Sequence, residues 1–151
     1  MKKSRSCFIL PGFLMLLFSC SGSQGNETIR KHKWMISRAT TERPIDLNNT
    51  GKPSTDLLAQ GPSCILDDLF NFNEKGILMK DDNQHICDDP SGKKGTWSFI
   101  SKDSLLIDFI GQGEPRKYKI IEMSENRMIL VTPMPFTPGG IEVTYTFINA
   151  D

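Results

Sequence analysis

The sequence has 151 residues, with 18 Lys plus Arg matched by 18 Asp plus Glu, a length that fits one domain with one small core and leaves no room for a two-domain enzyme built around a cleft. Without a cationic excess a phosphate backbone has nothing to neutralise it, so nucleic acid is not an expected partner. A hydrophobic fraction of 38% excludes a polytopic membrane protein, and nine Phe, two Trp and two Tyr argue against a disordered chain.

The N-terminus reads as an address. Lys2, Lys3 and Arg5 precede an apolar run from Cys7 to Phe18, broken only by Pro11 and Gly12; a charged start, an apolar middle and small residues at the end are the order of a secretory signal. The run is about a dozen residues, whereas a helix crossing a bilayer needs about 20, so a retained span is not expected. Leu17-Phe18-Ser19-Cys20, followed by Ser21-Gly22-Ser23, resembles the lipobox of bacterial lipoproteins, departing from it at Phe18, where that pattern carries a small or β-branched residue. The resemblance implies removal of residues 1–19, lipidation of Cys20 and attachment to a membrane through that lipid. The alternative is ordinary cleavage nearby, leaving a soluble protein with an odd thiol. Removal takes away three cations and no acid, so the remainder is mildly acidic. Residues 20–31 then read as a lipidated Cys and a flexible polar tether. Ser21 in place of a retaining Asp implies the outer membrane. The lack of an acidic run after Cys20 favours its periplasmic face over the cell surface.

From residue 32 to residue 151 the chain reads as one all-β domain, because period-2 alternation recurs and no helical spacing persists for three turns. Trp34, Ile36 and Arg38 share one face of a first strand. Phe70 and Phe72 lead into Asn73-Glu74-Lys75-Gly76, a hairpin turn signal, and Ile77 to Lys80 returns. Gly95 to Phe99 points Trp97 and Phe99 one way; Lys102-Asp103 turns the chain into Leu105, Ile107 and Phe109. Arg116 to Met123 sets Tyr118 and Ile120 against Lys117 and Lys119, Arg127 to Thr132 follows a tight turn, and Ile141, Val143, Tyr145 and Phe147 close the chain. These eight strands, joined mostly by short turns, pair antiparallel and fit a closed up-and-down barrel with a filled interior or room for one small ligand; an open sandwich is the second architecture. Residues 42–63, rich in Pro, Gly, Asn, Ser and Thr, are too long for a hairpin loop; they either lie over one mouth, with a helical turn at Asp56 to Gln60, or form a solvated insertion.

The order Trp34, Cys64, Phe72, Gly76, Cys87, Gly95-Thr96-Trp97 and Leu105-Leu106-Ile107 resembles the lipocalin-like lipoproteins of Bacteroidota over about residues 32–149. The resemblance implies an eight-stranded barrel and an export route, and no particular ligand. Two departures from true lipocalins are the His32-Lys33 before the first Trp, with no Gly two places back, and the absence of Thr-Asp-Tyr.

If Gly76 ends a three-residue loop, Asn73 faces Ile77, and the same register carried outward sets Cys64 opposite Ile86, one residue from Cys87. A one-residue bulge brings the thiols together, and in an oxidising compartment a Cys64–Cys87 disulfide is expected. A metal or redox site at His85 and Cys87 lacks further ligands. Asp81-Asp82-Asn83 with Asp88-Asp89 does not match a calcium loop, and Gly111-Gln112-Gly113 and Ser91-Gly92-Lys93-Lys94-Gly95 read as turns. With only His32 and His85 present, no catalytic set is expected, and no metal or cofactor. Asp103-Ser104-Leu105 resembles a Bacteroidota O-glycosylation sequon.

Three functional readings stand, the third being an enzyme, for which the sequence offers no catalytic set. In the first, a monomeric, lipid-anchored barrel binds a small apolar or amphipathic ligand, lined by Trp34, Arg38, Phe72, Trp97, Phe99, Ile107, Phe109, Tyr118, Val143 and Tyr145. An inward Arg38 would need a carboxylate, a carbonyl or water, which an acid-headed ligand supplies. In the second, a filled barrel presents residues 42–63 and the Pro-rich stretch 133–138 to another envelope protein or a glycan. Cavity volume separates the first two.

Overall fold

Strict alternation of apolar and polar side chains turns nearly the whole body into strands. The computed structural model describes residues 24–85, 94–110, 113–134 and 140–151. Within them a short helix, α1 (Gln24–Lys31), precedes nine strands: β1 (Lys33–Ile45), β2 (Ser54–Asp56), β3 (Leu69–Phe72), β4 (Ile77–Asp81), β5 (Lys94–Ser101), β6 (Ser104–Phe109), β7 (Arg116–Met123), β8 (Arg127–Pro133) and β9 (Glu142–Asn149). Each of β3 to β8 pairs with the next, β3 pairs with β1, and β1 pairs with β9, so eight antiparallel strands close into a barrel without a free edge. The ninth, β2, lies within the 42–63 segment and pairs with the far half of β1, through Thr40 with Asp56 and Ile45 with Ser54.

The strand directions define two ends. The lower end carries α1, the β3–β4 turn, the β7–β8 turn and the chain's last residues; the upper end carries the 46–68 segment and the approach to β7. Residues 24–31 are therefore not a tether. QGNETIRK has one apolar residue, Ile29, and that side chain is fully buried in the core while Trp34 Nε1 donates to the Ile29 carbonyl at 2.9 Å. Glu27 in the first turn and Arg30 and Lys31 in the last complement the helix dipole. Residues 1–23, with Cys20, lie outside the described residues.

The main core joins Trp34, Phe70, Phe72, Leu78, Trp97, Leu105, Met128, Leu130 and Phe147 with Ile29. A second, smaller core joins Ala39 and Val143 to Leu57, with Leu58, Ile45, Met134 and Tyr145 packed around it. Leu57 reaches there because its N–H donates to the Ala39 carbonyl at 2.9 Å. The 42–63 segment is thus built onto the upper end of the barrel, with a 3-10 turn at Leu58–Gln60 where a helical turn is expected.

Three local features decide which side chains enter the barrel. First, β1 carries a bulge: Ile36 faces Phe147 but Arg38 already faces Thr146. An extra residue reverses the alternation, so Ala39 and Thr41 turn inward and Arg38 is exposed. The inward Arg38 expected from alternation is overturned. Second, Gly76 at φ 73° closes the β3–β4 turn, and Phe72 pairs with Leu78 and Leu69 with Asp81, the expected register. That ladder stops at Leu69: Cys64 lies in a 3-10 turn, Ser63–Asp67, not on a strand opposite Ile86. Cys64 is disulfide-bonded, while its expected partner Cys87 lies outside the described residues. Third, a Cβ on Gly95 would run into the Asp108 carbonyl oxygen across the β5–β6 ladder, which is why the Gly-Thr-Trp stretch begins with glycine.

Candidate functional site

An internal cavity of about 160 Å³ lies between β1, β3, β4, β6, β7 and β9. Alternation supplies its wall: Ile36 from β1, Phe70 and Phe72 from β3, Leu78 from β4, Ile107 and Phe109 from β6, Tyr118 from β7, and Tyr145 and Phe147 from β9. Edge-to-face contacts fix the rings, Phe70 with Phe147 at 5.7 Å, Phe70 with Phe109 at 6.4 Å and Tyr118 with Tyr145 at 6.3 Å. Below, Phe72 packs edge to face on Trp97 and Trp97 on Phe99. Trp97 Nε1 donates to the Asn73 carbonyl at 3.1 Å, so this tryptophan is committed to the wall rather than to the cavity.

The polar edge of the cavity is Glu114, Arg116 and the two tyrosine hydroxyls. Arg116 opens β7 two residues before Tyr118, on the same face. Burial pushes the Tyr118 hydroxyl up to about 12, a rise reinforced by Tyr145 and opposed by the nearby positive charge of the Arg116 guanidinium. Burial likewise raises Tyr145, again against Arg116. Both phenols are therefore neutral O–H groups at physiological pH. Among the described residues the ion pairs form elsewhere, at Lys31 with Glu125, His32 with Glu125 and Asp151, Lys80 with Asp68 and Asp82, His85 with Asp67 and Arg127 with Glu122, and Arg116 enters none of them.

Of the ten residues expected to line a ligand site, Phe72, Ile107, Phe109, Tyr118 and Tyr145 meet at the cavity. Trp34, Trp97 and Phe99 instead belong to the packed core around it, Val143 to the second core, and Arg38 to the surface. Sequence reasoning missed Ile36, Phe70, Leu78, Phe147, Glu114 and Arg116 as lining residues. For Arg116 the signal was present, since the alternation that turns Tyr118 inward does the same two positions earlier.

Among the described residues, the other chemistry-bearing side chains pair with one another. Lys80 Nζ bridges Asp68 at 2.9 Å and Asp82 at 2.8 Å, and burial raises the Asp68 carboxyl. His85 is exposed and pairs with Asp67 at 3.0 Å. Among the described residues no group of three His, Cys, Asp or Glu side chains is placed to hold a metal. Asp88 and Asp89, residues 91–93, residues 111–112 and residues 135–138 lie outside the described residues. Ser104 is the half-buried first residue of β6.

A family model described as a lipocalin-like domain matches residues 31–130. The match stops within β8, although β9 closes the barrel and supplies Tyr145 and Phe147 to the cavity. Compared with curated proteins, the chain matches none.

Proposed function

Because the chain belongs to the lipocalin-like domain family, we propose that it is an exported, lipid-anchored barrel that holds a small apolar or amphipathic molecule in its interior, acting as a carrier or receptor and not as an enzyme. The observation that carries the reading is the cavity of about 160 Å³, aromatic on its walls and polar along one edge, in a barrel whose other large side chains are close-packed. Apolar concavities with a few convergent polar groups are where small molecules bind. This volume is close to the ~150 Å³ of an engineered apolar cavity that takes up benzene, which sets the scale of the ligand.

The export part of the reading rests on the charged start, the apolar run and Cys20. It resembles the route of the lipocalin-like lipoproteins of Bacteroidota, with an outer-membrane location and the periplasmic face favoured. Since α1 begins at Gln24 and its Ile29 is buried at the lower end, a lipid on Cys20 is tied to that end by four residues, a reach of at most ~14 Å. The closed end then lies against the bilayer and Arg116 enters β7 at the opposite end. The protein works in this reading as a monomer without metal, cofactor or nucleic acid.

Two measurements test the two parts separately. Labelled palmitate enters the wild-type protein and not Cys20→Ala; unchanged labelling of that variant overturns anchoring at Cys20. Native mass spectrometry of protein purified from its own envelope finds a co-purifying small mass, lost on denaturation. Bare protein that also takes up no apolar probe favours the filled-barrel reading, in which the 42–63 and 133–138 segments contact an envelope protein or glycan.

A further inference from the structure

Resting on the interior-binding reading above, we infer that the cavity selects a compact monocarboxylate, one ring or a short alkyl chain bearing a single carboxylate, and that Arg116 is the residue that reads the acid. Long-chain fatty acids are excluded by size.

Two independent observations meet here. The first is volume. About 160 Å³ accommodates a single ring, and the side chains below it leave no continuation toward the lower end: Trp97 and Phe99 pack edge to face below Phe72, and Ile29 of α1 is fully buried beneath the barrel. A sixteen-carbon tail would have to displace those side chains from a close-packed interior. The second is charge. Arg116 is half-buried at the cavity's polar edge and makes no ion pair among the described residues. Among the described residues, its polar neighbours in the cavity lining are the neutral Tyr118 and Tyr145 hydroxyls and the exposed Glu114. A guanidinium offers a planar fork of donors that matches a carboxylate, and a neutral phenol two residues along the same strand face adds an O–H donor. An incoming carboxylate is thus met by donors of two kinds, whereas an incoming ammonium is repelled by the Arg116 guanidinium beside those hydroxyls. Glu114, standing at the rim, discriminates further against ligands with a second negative charge.

The test is calorimetric titration of the purified full chain with four probes: 3-phenylpropionate, 3-phenylpropan-1-ol, 3-phenylpropylamine and hexadecanoate. The acid is expected to bind about tenfold or more tightly than the alcohol, as one charge-assisted interaction supplies. The amine should be weakest and hexadecanoate no tighter than the short acid. Arg116→Gln should bring the acid down to the level of the alcohol and leave the alcohol unchanged, and Arg116→Lys should restore part of the difference. Retained alcohol binding in Arg116→Gln shows that the variant is folded with its cavity intact. Equal binding of acid and alcohol, an acid preference that survives Arg116→Gln, a preference for the amine or tighter binding of hexadecanoate each overturns this inference while leaving interior binding in place. Failure of all four probes overturns interior binding itself.

Discussion

Replacing Ile29 with Ala asks whether α1 is part of the fold or an accessory to it. Ile29 is fully buried although it is the only apolar residue of an eight-residue helix. The substitution removes three buried carbons, worth about 2.4 kcal/mol at ~0.8 kcal/mol per methylene. The cavity left behind adds to that, for a total of about 3 kcal/mol, within the range found for Ile→Ala in cores. A folded body of roughly 120 residues unfolds with an entropy near 0.25 kcal/mol/K, so the expected fall in melting temperature is about 12 °C. The measurement is thermal unfolding followed by near-UV circular dichroism. That signal also reports Trp34, whose indole N–H donates to the Ile29 carbonyl. Glu27→Ala, on the exposed side of the same helix, serves as a control and should shift the midpoint by no more than about 2 °C. A fall below about 3 °C for Ile29→Ala would refute the argument, because it would mean that α1 detaches at little cost and the barrel is stable open at its lower end.

Gly95→Ala should destabilise by more than a typical point substitution, above about 2 kcal/mol in urea unfolding, because its Cβ meets the backbone of Asp108 and not a movable side chain; a neutral result would mean that β5 and β6 can separate freely there. His32 carries Glu125 on Nε2 and Asp151 on Nδ1, each at 2.8 Å, and these hydrogen bonds hold its pKa above 6.5 while holding Glu125 below 4.5 and Asp151 below 3.8. The latch therefore stabilises fully at pH values below 6.5 that still leave both carboxylates charged, and the stabilisation is lost as pH rises through the raised His32 value. The melting difference between wild type and His32→Gln should accordingly be larger near pH ~5.5 than near pH ~8.5, and a constant difference would show that the histidine acts without its charge. Peptide mapping without reductant should recover Cys64 linked to Cys87, and the double Ser variant should lose roughly 3 kcal/mol; linkage of Cys64 to any other cysteine breaks that pairing.

How far the sequence could be read follows from the range of the interactions involved. Alternation is local, so the strand faces at Phe70 and Phe72, Trp97 and Phe99, and Ile107 and Phe109 were legible, and the Gly76 turn fixed the β3–β4 register. The bulge after Ile36 was not legible, since nothing in Ile36-Ser37-Arg38 marks an extra residue; it is set by how β1 follows β9 around the barrel. That single residue moved Arg38 to the surface. The helix was illegible for a related reason: with Ile29 alone on its apolar face it has no periodicity to detect, and its stability comes from the barrel it closes. Aromatic residues on the inward phase could not be divided into wall and cavity, because which ring touches which depends on the closed sheet. Trp34 and Trp97 were spent on hydrogen bonds to the Ile29 and Asn73 carbonyls.

The same bulge links the 46–68 segment to the cavity. Past it, the inward positions of β1 fall to Ala39 and Thr41, and the small Ala39 leaves space that Leu57 fills beside Val143. The segment that delivers Leu57 is held by its own polar contacts: Asp46 accepts from the Thr50 and Gly51 amides at 3.0 and 2.6 Å, which lowers its carboxyl, and Gln60 spans the Leu47 amide at 2.9 Å and the Ile45 carbonyl at 3.0 Å. Tyr145 touches both sets of residues, packing against the second core and lining the cavity next to Tyr118. The upper wall beside the carboxylate-reading edge is therefore assembled from two distant stretches of chain, and the position of the Tyr145 ring depends on the packing of Leu57 as much as on the strand that carries it. Changes in the 46–60 segment should be felt as changes in ligand affinity before they are felt as loss of the barrel, because the pairing of β1 with β9 from Trp34 to Thr41 is made without that segment.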